Sequence, residues 1–153
     1  MDAQLEQLAE MFGRAKRIAF LGGAGLSTES GIPDFRSSNG VYAALQAYGR
    51  PPEELLSHEF FLRHTDVFFD YYRKYLVHPQ AKPNPAHFAL ARLEQPGKLT
   101  AVITQNIDGL HQQAGSRRVL ELHGSVYRNH CMRCGKSYPV ESMLSADAVP
   151  HCD

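Results

Sequence analysis

The chain has 153 residues, enough for one ordinary domain or part of a larger one, and its 43% hydrophobic share can build a real core. Lys+Arg and Asp+Glu balance at 16 each, which argues against a nucleic-acid or membrane-surface partner. No apolar run approaches the roughly 20 residues of a membrane span, the N-terminus lacks a basic start and apolar signal core, and three cysteines fit metal binding in a reducing compartment better than a disulfide framework, so a soluble cytoplasmic protein is expected.

Leu5, Leu8, Phe12 and Ala15 mark the apolar face of a first helix. The run Arg17 to Leu21 reads as a short buried strand leading into a Gly-rich loop. From about 38 to 80 the texture changes to clustered aromatics, among them Phe60, Phe61, Phe68, Phe69, Tyr71 and Tyr72, which suits a helical insertion packed on itself. Asn84-Pro85 resembles a helix start, with Asn as N-cap and Pro in the first turn. That helix is expected to run through Leu93 and stop near Pro96-Gly97. Leu99 to Asn106 reads as a second buried strand and Val119 to Gly124 as a short third one. A strand, a long helical excursion and further strands argue for an α/β fold with a parallel sheet.

Four segments carry chemistry. The first is GGAGLSTESGIPDFR, Gly22 to Arg36. Gly23-Ala24-Gly25 opens a GxG, but Thr28 stands where a GxGxxG fingerprint would place its third Gly, and a lone GxG is often only a turn. The continuation adds a carboxylate at Asp34, an aromatic face at Phe35 suited to a flat ring, and a guanidinium at Arg36 suited to a pyrophosphate or ribose. A strand entering such a turn is where nucleotide phosphates sit in α/β folds. The second is Gln105, Asn106, Ile107 and Asp108, at the end of the second strand. Their amides and carboxylate suit a carboxamide such as nicotinamide, although a plain strand-to-helix turn would use similar residues.

The third is His123 in ELHG, at the end of the third strand, a candidate general base. His111 competes with it, and its place on the following helix favours a structural role. The fourth is Cys131 and Cys134 in a CxxC, with Cys152 near the end. The spacing from Cys134 to Cys152 fits a four-Cys zinc site whose second CxxC would close two residues beyond Asp153. A redox CxxC is the rival, and His130 or His151 could supply a fourth ligand only awkwardly, each being adjacent to a cysteine.

Taken together, GAGLSTESGIPDFR, TQNIDGLH, ELHG and the CxxC resemble the sirtuin family of NAD-dependent protein-lysine deacylases, in the family's order and spacing and over nearly the whole chain. The compact N-terminus and QAKPNPAH look most like small bacterial and archaeal members. The resemblance implies a Rossmann-like parallel sheet over 1–124, with the helical insertion inside it, and the first part of a zinc-binding module over 125–153. It implies that Gly23, Ala24, Gly25, Thr28, Phe35 and Arg36 line the NAD site, with Ser27 near the ribose. Gln105, Asn106, Ile107 and Asp108 would take nicotinamide, and His123 would be the base.

NAD would be the co-substrate and acyl-lysine proteins the partners. The acyl oxygen would attack C1′ of the ribose, nicotinamide would leave, and the His would activate a ribose hydroxyl toward the imidate, giving free lysine and O-acyl-ADP-ribose. Zinc on Cys131, Cys134 and Cys152 would be structural. The family's branch for acidic acyl groups carries a Tyr-x-x-Arg pair, and here Tyr71 is followed by Arg73 and Lys74, an imperfect match that favours acetyl or another neutral group. The family's domain continues past Asp153 into a second nucleotide-binding half, so the chain is expected to be a fragment with little turnover of its own. A mono-ADP-ribosyltransferase on the same scaffold and a non-catalytic zinc and nucleotide module are the other readings.

Overall fold

The computed structural model describes residues 3–34, 38–146 and 148–153; Phe35 and Arg36 lie outside them. Helix α1 (Ala3–Arg14) leads to strand β1 (Ile18–Gly22), one residue later than the sequence pattern suggests. A 3-10 helix, Ala24–Ser30, replaces the open Gly-rich loop expected from the sequence, and Gly31 ends it in the left-handed region at φ 83°. Then come α2 (Ser38–Tyr48), α3 (Pro52–Leu55), α4 (His58–Arg63), α5 (Thr65–Tyr71) and a π-helical turn, Tyr72–Leu76. Helix α6 (Pro85–Glu94) returns the chain to strand β2 (Leu99–Thr104). After it come α7 (Leu110–Gln113), β3 (Val119–Glu121), the short strands β4 (Asn129–His130) and β5 (Ser137–Tyr138), and α8 (Val140–Leu144).

Strands β1, β2 and β3 form a parallel sheet in that order, and β4 pairs antiparallel with β5. Gly22 pairs with Thr104 and Thr104 with Glu121, so all three strands end on one line. Two of them stop earlier than their apolar runs. Past β2, the Asn106 N–H donates to Thr104 Oγ1 (3.0 Å), and past β3 the Gly124 N–H donates to Glu121 O (3.4 Å), turning the chain before Gly124. Helix α6 begins as expected: Asn84 Oδ1 accepts from the Ala86 N–H (3.0 Å), the His87 ring accepts from the Asn84 N–H, and Pro85 sits in the first turn.

One face of the sheet packs on α6, where Leu90, Leu99 and Val102 are buried together with Phe20 and Leu93 against them. On the other face Leu21, Ile103 and Leu120 align across the strands, and Leu21 is 65% exposed. Helix α1 forms on its apolar pattern but buries none of its residues. A second core lies in the helical insertion, where Leu55, Phe60, Tyr71 and Tyr72 are buried with Val126, Val140 and Met143 of the C-terminal segment. Arg73 joins the same two parts, its Nε donating to Met143 O (2.8 Å) and its guanidinium also reaching Ala148 O. Among the described residues, no helix is long and apolar enough to cross a membrane.

Candidate active site

The shared strand ends bring the three conspicuous segments of the sequence to one edge of the sheet, where ligands bind in open α/β folds. The 3-10 helix after β1 turns Ser27 inward until it is 1% exposed. Its Oγ donates to Asp108 Oδ2 (2.7 Å) and accepts from Asn106 Nδ2 (3.0 Å). The other Asp108 oxygen, Oδ1, accepts from the Leu110 N–H (3.0 Å), which fixes the start of α7. Gly109 makes this possible: its φ of 70° is left-handed, and a Cβ there would sit 3.0 Å from the Tyr127 ring. Gln105 is tied to β1 through its N–H and Gly22 O (3.1 Å). The first and second segments are thus joined by side-chain hydrogen bonds and by the sheet.

A cavity of about 700 Å³ opens above them. Gly23, Ala24 and Ser27 line it from the 3-10 helix, Gln105 to Asp108 from the turn after β2, and His123 from the turn after β3. Gly25 and Thr28 share the 3-10 helix without lining the cavity, and Thr28 Oγ1 is spent on Gly25 O (2.9 Å). The expected roles of Phe35 and Arg36 fall outside the described residues.

Asp34, the carboxylate of the GIPDFR run, also lines the cavity, and with it Ile32 and Pro33, which carry no chemical signal of their own beyond their position in that run. Pro52, Glu53, Leu56, Phe68 and Leu76 reach the cavity from the insertion, and only the density of aromatics hinted at Phe68. Tyr71 and Lys74, weighed as an acyl-selecting pair, do not line it. Tyr71 is buried with its ring stacked on Tyr75 (5.0 Å) and edge-on to Tyr48 (5.4 Å), and Lys74 pairs with Asp70 (2.8 Å). Arg73 points to the C-terminal segment through the bonds given above.

Away from the cavity, Cys131, Cys134 and Cys152 hold their Sγ atoms within 4.8 Å of one another. A tetrahedral zinc with bonds of about 2.3 Å separates two of its sulfurs by about 3.8 Å, and Cys134 and Cys152 stand 3.5 Å apart. The turn is made for thiolates: the Gly135 N–H returns to Cys131 O (2.9 Å) and the Arg133 N–H faces Cys131 Sγ (3.4 Å). Backbone N–H groups of Cys134 and Arg133 pull the Cys131 thiol down to about 7. Three soft ligands that could hold a metal are present, and neither His130 nor His151 joins them among the described residues.

A family model described as Sir2 family matches residues 23–153. The chain is 51% identical over 151 residues to an NAD-dependent protein deacetylase of Clostridium acetobutylicum, covering 98% of this chain and 62% of that protein. It is 54% identical over 147 residues to an NAD-dependent protein deacetylase of Cutibacterium acnes, covering 96% and 60%. A solved structure described as "Sir2-p53 peptide-NAD+" superposes with a TM-score of 0.76 at 41% identity, covering 97% of this chain and 59% of that one. Another, described as "The Structural basis of Sirtuin Substrate Affinity", gives a TM-score of 0.81 at 43% identity, covering 97% and 60%. The chain therefore spans about 60% of the length of these relatives.

Proposed function

The chain belongs to the Sir2 family, and from that premise we propose that it carries the nicotinamide end of the active site of an NAD-dependent protein-lysine deacetylase. The observation that carries this reading is the bonded group Ser27, Asn106 and Asp108 at the floor of a cavity whose rim holds His123. Ser27 and Asp108 fix each other, so the amide and carboxylate groups facing the cavity are set before a ligand arrives, which lowers the cost of orienting it. Gln105, Asn106, Ile107 and Asp108 bind the carboxamide, and Gly23 and Ala24 let the backbone approach the sugar and phosphates without a side chain in the way. Bound NAD supplies a glycosidic bond to nicotinamide whose cleavage drives acyl transfer. His123, exposed at the rim, takes a proton from a ribose hydroxyl as general base.

The wall from the insertion is apolar at Leu56, Phe68 and Leu76 and, among the described residues, offers no cation to an acidic acyl chain, which supports acetyl or another neutral acyl group on the substrate lysine. Cys131, Cys134 and Cys152 hold a structural zinc that ties β4 and β5 to the end of the chain. The free thiols and the relatives' bacterial sources support a cytoplasmic setting.

The test is titration of NAD and of nicotinamide into the zinc-loaded protein by calorimetry, beside an acetyl-lysine peptide assay on the protein and on His123→Ala. The expected result is saturable binding of both ligands and, at the low turnover expected of a chain that spans about 60% of its relatives, freed lysine from the unaltered protein but not from His123→Ala, which still binds NAD and can still release nicotinamide. Failure of NAD to bind overturns the reading. Transfer of ADP-ribose to protein with no freed lysine replaces deacetylation by ADP-ribosyl transfer.

A further inference from the structure

Behind the cavity, α6 and α7 meet through two imidazoles. His87 and His111 are 0% and 1% exposed, with ring centroids 4.9 Å apart and planes inclined by 59°. Phe20 of β1 tilts against His111 at 6.2 Å. His87 Nδ1 accepts the Asn84 N–H (3.3 Å), so a neutral His87 carries its proton on Nε2. Among the described residues, that Nε2 and both ring nitrogens of His111 find no hydrogen-bond partner. A leucine or phenylalanine at 111 would fill its space without stranding a polar atom, so stability alone does not account for the imidazole there.

The connections of the two rings do. Asn84, held by His87, donates its Nδ2 to Leu26 O (2.7 Å) and Ser30 Oγ (3.1 Å), gripping the 3-10 helix on both sides of Ser27. Ser27 bonds to Asp108, Asp108 starts α7, and α7 carries His111 back to His87. The path is a closed ring around the floor of the cavity. A change in the separation of the two imidazoles must be taken up elsewhere in the ring, and the hydrogen bond between Ser27 and Asp108 is one of its members.

We propose that His87 and His111 are positioning residues: the hold of His87 on the Asn84 N–H and the packing of His111 against that ring set the spacing of α6 and α7 and so register Ser27 on Asp108 beneath the nicotinamide end of the co-substrate. Only the identity of that ligand rests on the deacetylase reading. The contact needs both rings neutral, because an added proton would place a charge and another unpartnered N–H in a dry contact. The charges facing the pair are the carboxylate of Asp108, which favours protonation of both rings, and that of Glu121, which favours it for His111. From β1 the neighbour is the uncharged ring of Phe20. Burial outweighs these carboxylates, lowering His87 and bringing His111 down to about 4 with help from its partner ring.

The experiment is solution NMR on the full 153-residue chain, first without ligand. The His111 ring signal should stay in the neutral form down to pH 5.5, and the His87 ring should titrate below its ordinary value. The amide signals of Ser27 and Asp108 should move in His87→Leu and return toward their original positions in His87→Asn, whose Oδ1 can take the Asn84 N–H in place of Nδ1. His111→Phe, which keeps the volume, should move the same two amides while the urea midpoint holds or rises, and it carries the test if His87→Leu does not fold. With nicotinamide as probe, Kd should rise at least fivefold in His87→Leu and in His111→Phe, and recover to within about twofold in His87→Asn. Unmoved Ser27 and Asp108 amides, no recovery in His87→Asn, or ordinary titration of both rings near 6.5 would overturn the proposal. If the unaltered protein binds neither nicotinamide nor NAD, the deacetylase reading fails, while the ligand-free amide shifts still decide whether the pair positions the floor.

Discussion

Ser27 and Asp108 should be energetically coupled, and a double-mutant cycle measures the coupling. Ser27 Oγ is buried and has a definite direction: it gives its proton to Asp108 Oδ2 and takes one from Asn106 Nδ2. Asp108→Asn keeps the shape but exchanges one acceptor oxygen for an NH2. With the remaining oxygen on the Leu110 N–H, the new amide faces Ser27, whose lone pairs can receive it but whose own proton is stranded. A hydrogen bond to a charged group is worth about 1.5–3 kcal/mol and a stranded buried donor costs about 1–3 kcal/mol. Relaxation toward the cavity recovers part of this, so Asp108→Asn should destabilise the protein by about 2 kcal/mol. Ser27→Ala removes donor and bond together and should cost about 1 kcal/mol. With Ala at position 27, Asp108→Asn strands nothing and should cost only about 0.5 kcal/mol, leaving a coupling of about 1.5 kcal/mol. Urea unfolding of the four proteins followed by circular dichroism gives each free energy. Additivity to within about 0.5 kcal/mol would refute the argument, because two side chains that hold each other cannot be removed independently.

Gly109→Ala should lower the unfolding free energy by about 1–2 kcal/mol, since it imposes a left-handed Ala and a Cβ against the Tyr127 ring, and should weaken nicotinamide binding with it; an unchanged Tm would remove the steric reasoning. Glu94 receives the N–H groups of Arg117 and Arg118, both at 2.7 Å, and so anchors the entry to β3; Glu94→Gln, which keeps one acceptor, should cost about 1–2 kcal/mol in the same urea assay. Acid should act through the histidine pair. A folded-state pKa below the ordinary 6.5 means that the unfolded chain binds the proton more tightly, so the stability is complete above about 6.5 and is lost as the pH falls toward 4. His111 alone accounts for about 3 kcal/mol of that loss. The urea midpoint of the unaltered protein should fall over this window and that of His111→Phe should fall less; equal slopes would contradict it.

The parts of the site that could be read from the sequence are those whose chemistry and placement are both local. Gly23, Ala24, Gln105, Asn106, Asp108 and His123 each follow an apolar run, and a parallel register that ends Gly22, Thr104 and Glu121 in line is enough to gather them. The Asn84 cap was legible for the same reason, but its second duty, holding Leu26 and Ser30, joins segments 54 and 58 residues apart and leaves no local trace. His87 and His111 show the limit most clearly. Each has an ordinary explanation in its own helix, and their meaning arises only where α6 crosses α7.

The insertion is less legible. Tyr71 and Lys74, an imperfect match to an acyl-selecting pair in sequence, stay clear of the cavity, one locked among Tyr48 and Tyr75 and the other paired with Asp70, while unremarkable Leu56 and Leu76 face it. Spacing along a helix fixes which residues share a face; it does not fix which face the core claims. Here the core was claimed jointly by the insertion and the cysteine-bearing segment, through Val126, Val140 and Met143 and through Arg73 on Met143 O. A metal held at Cys131, Cys134 and Cys152 would therefore brace the segment against which the Phe68 and Leu76 wall is packed. It would act on the cavity mechanically, without approaching its chemistry.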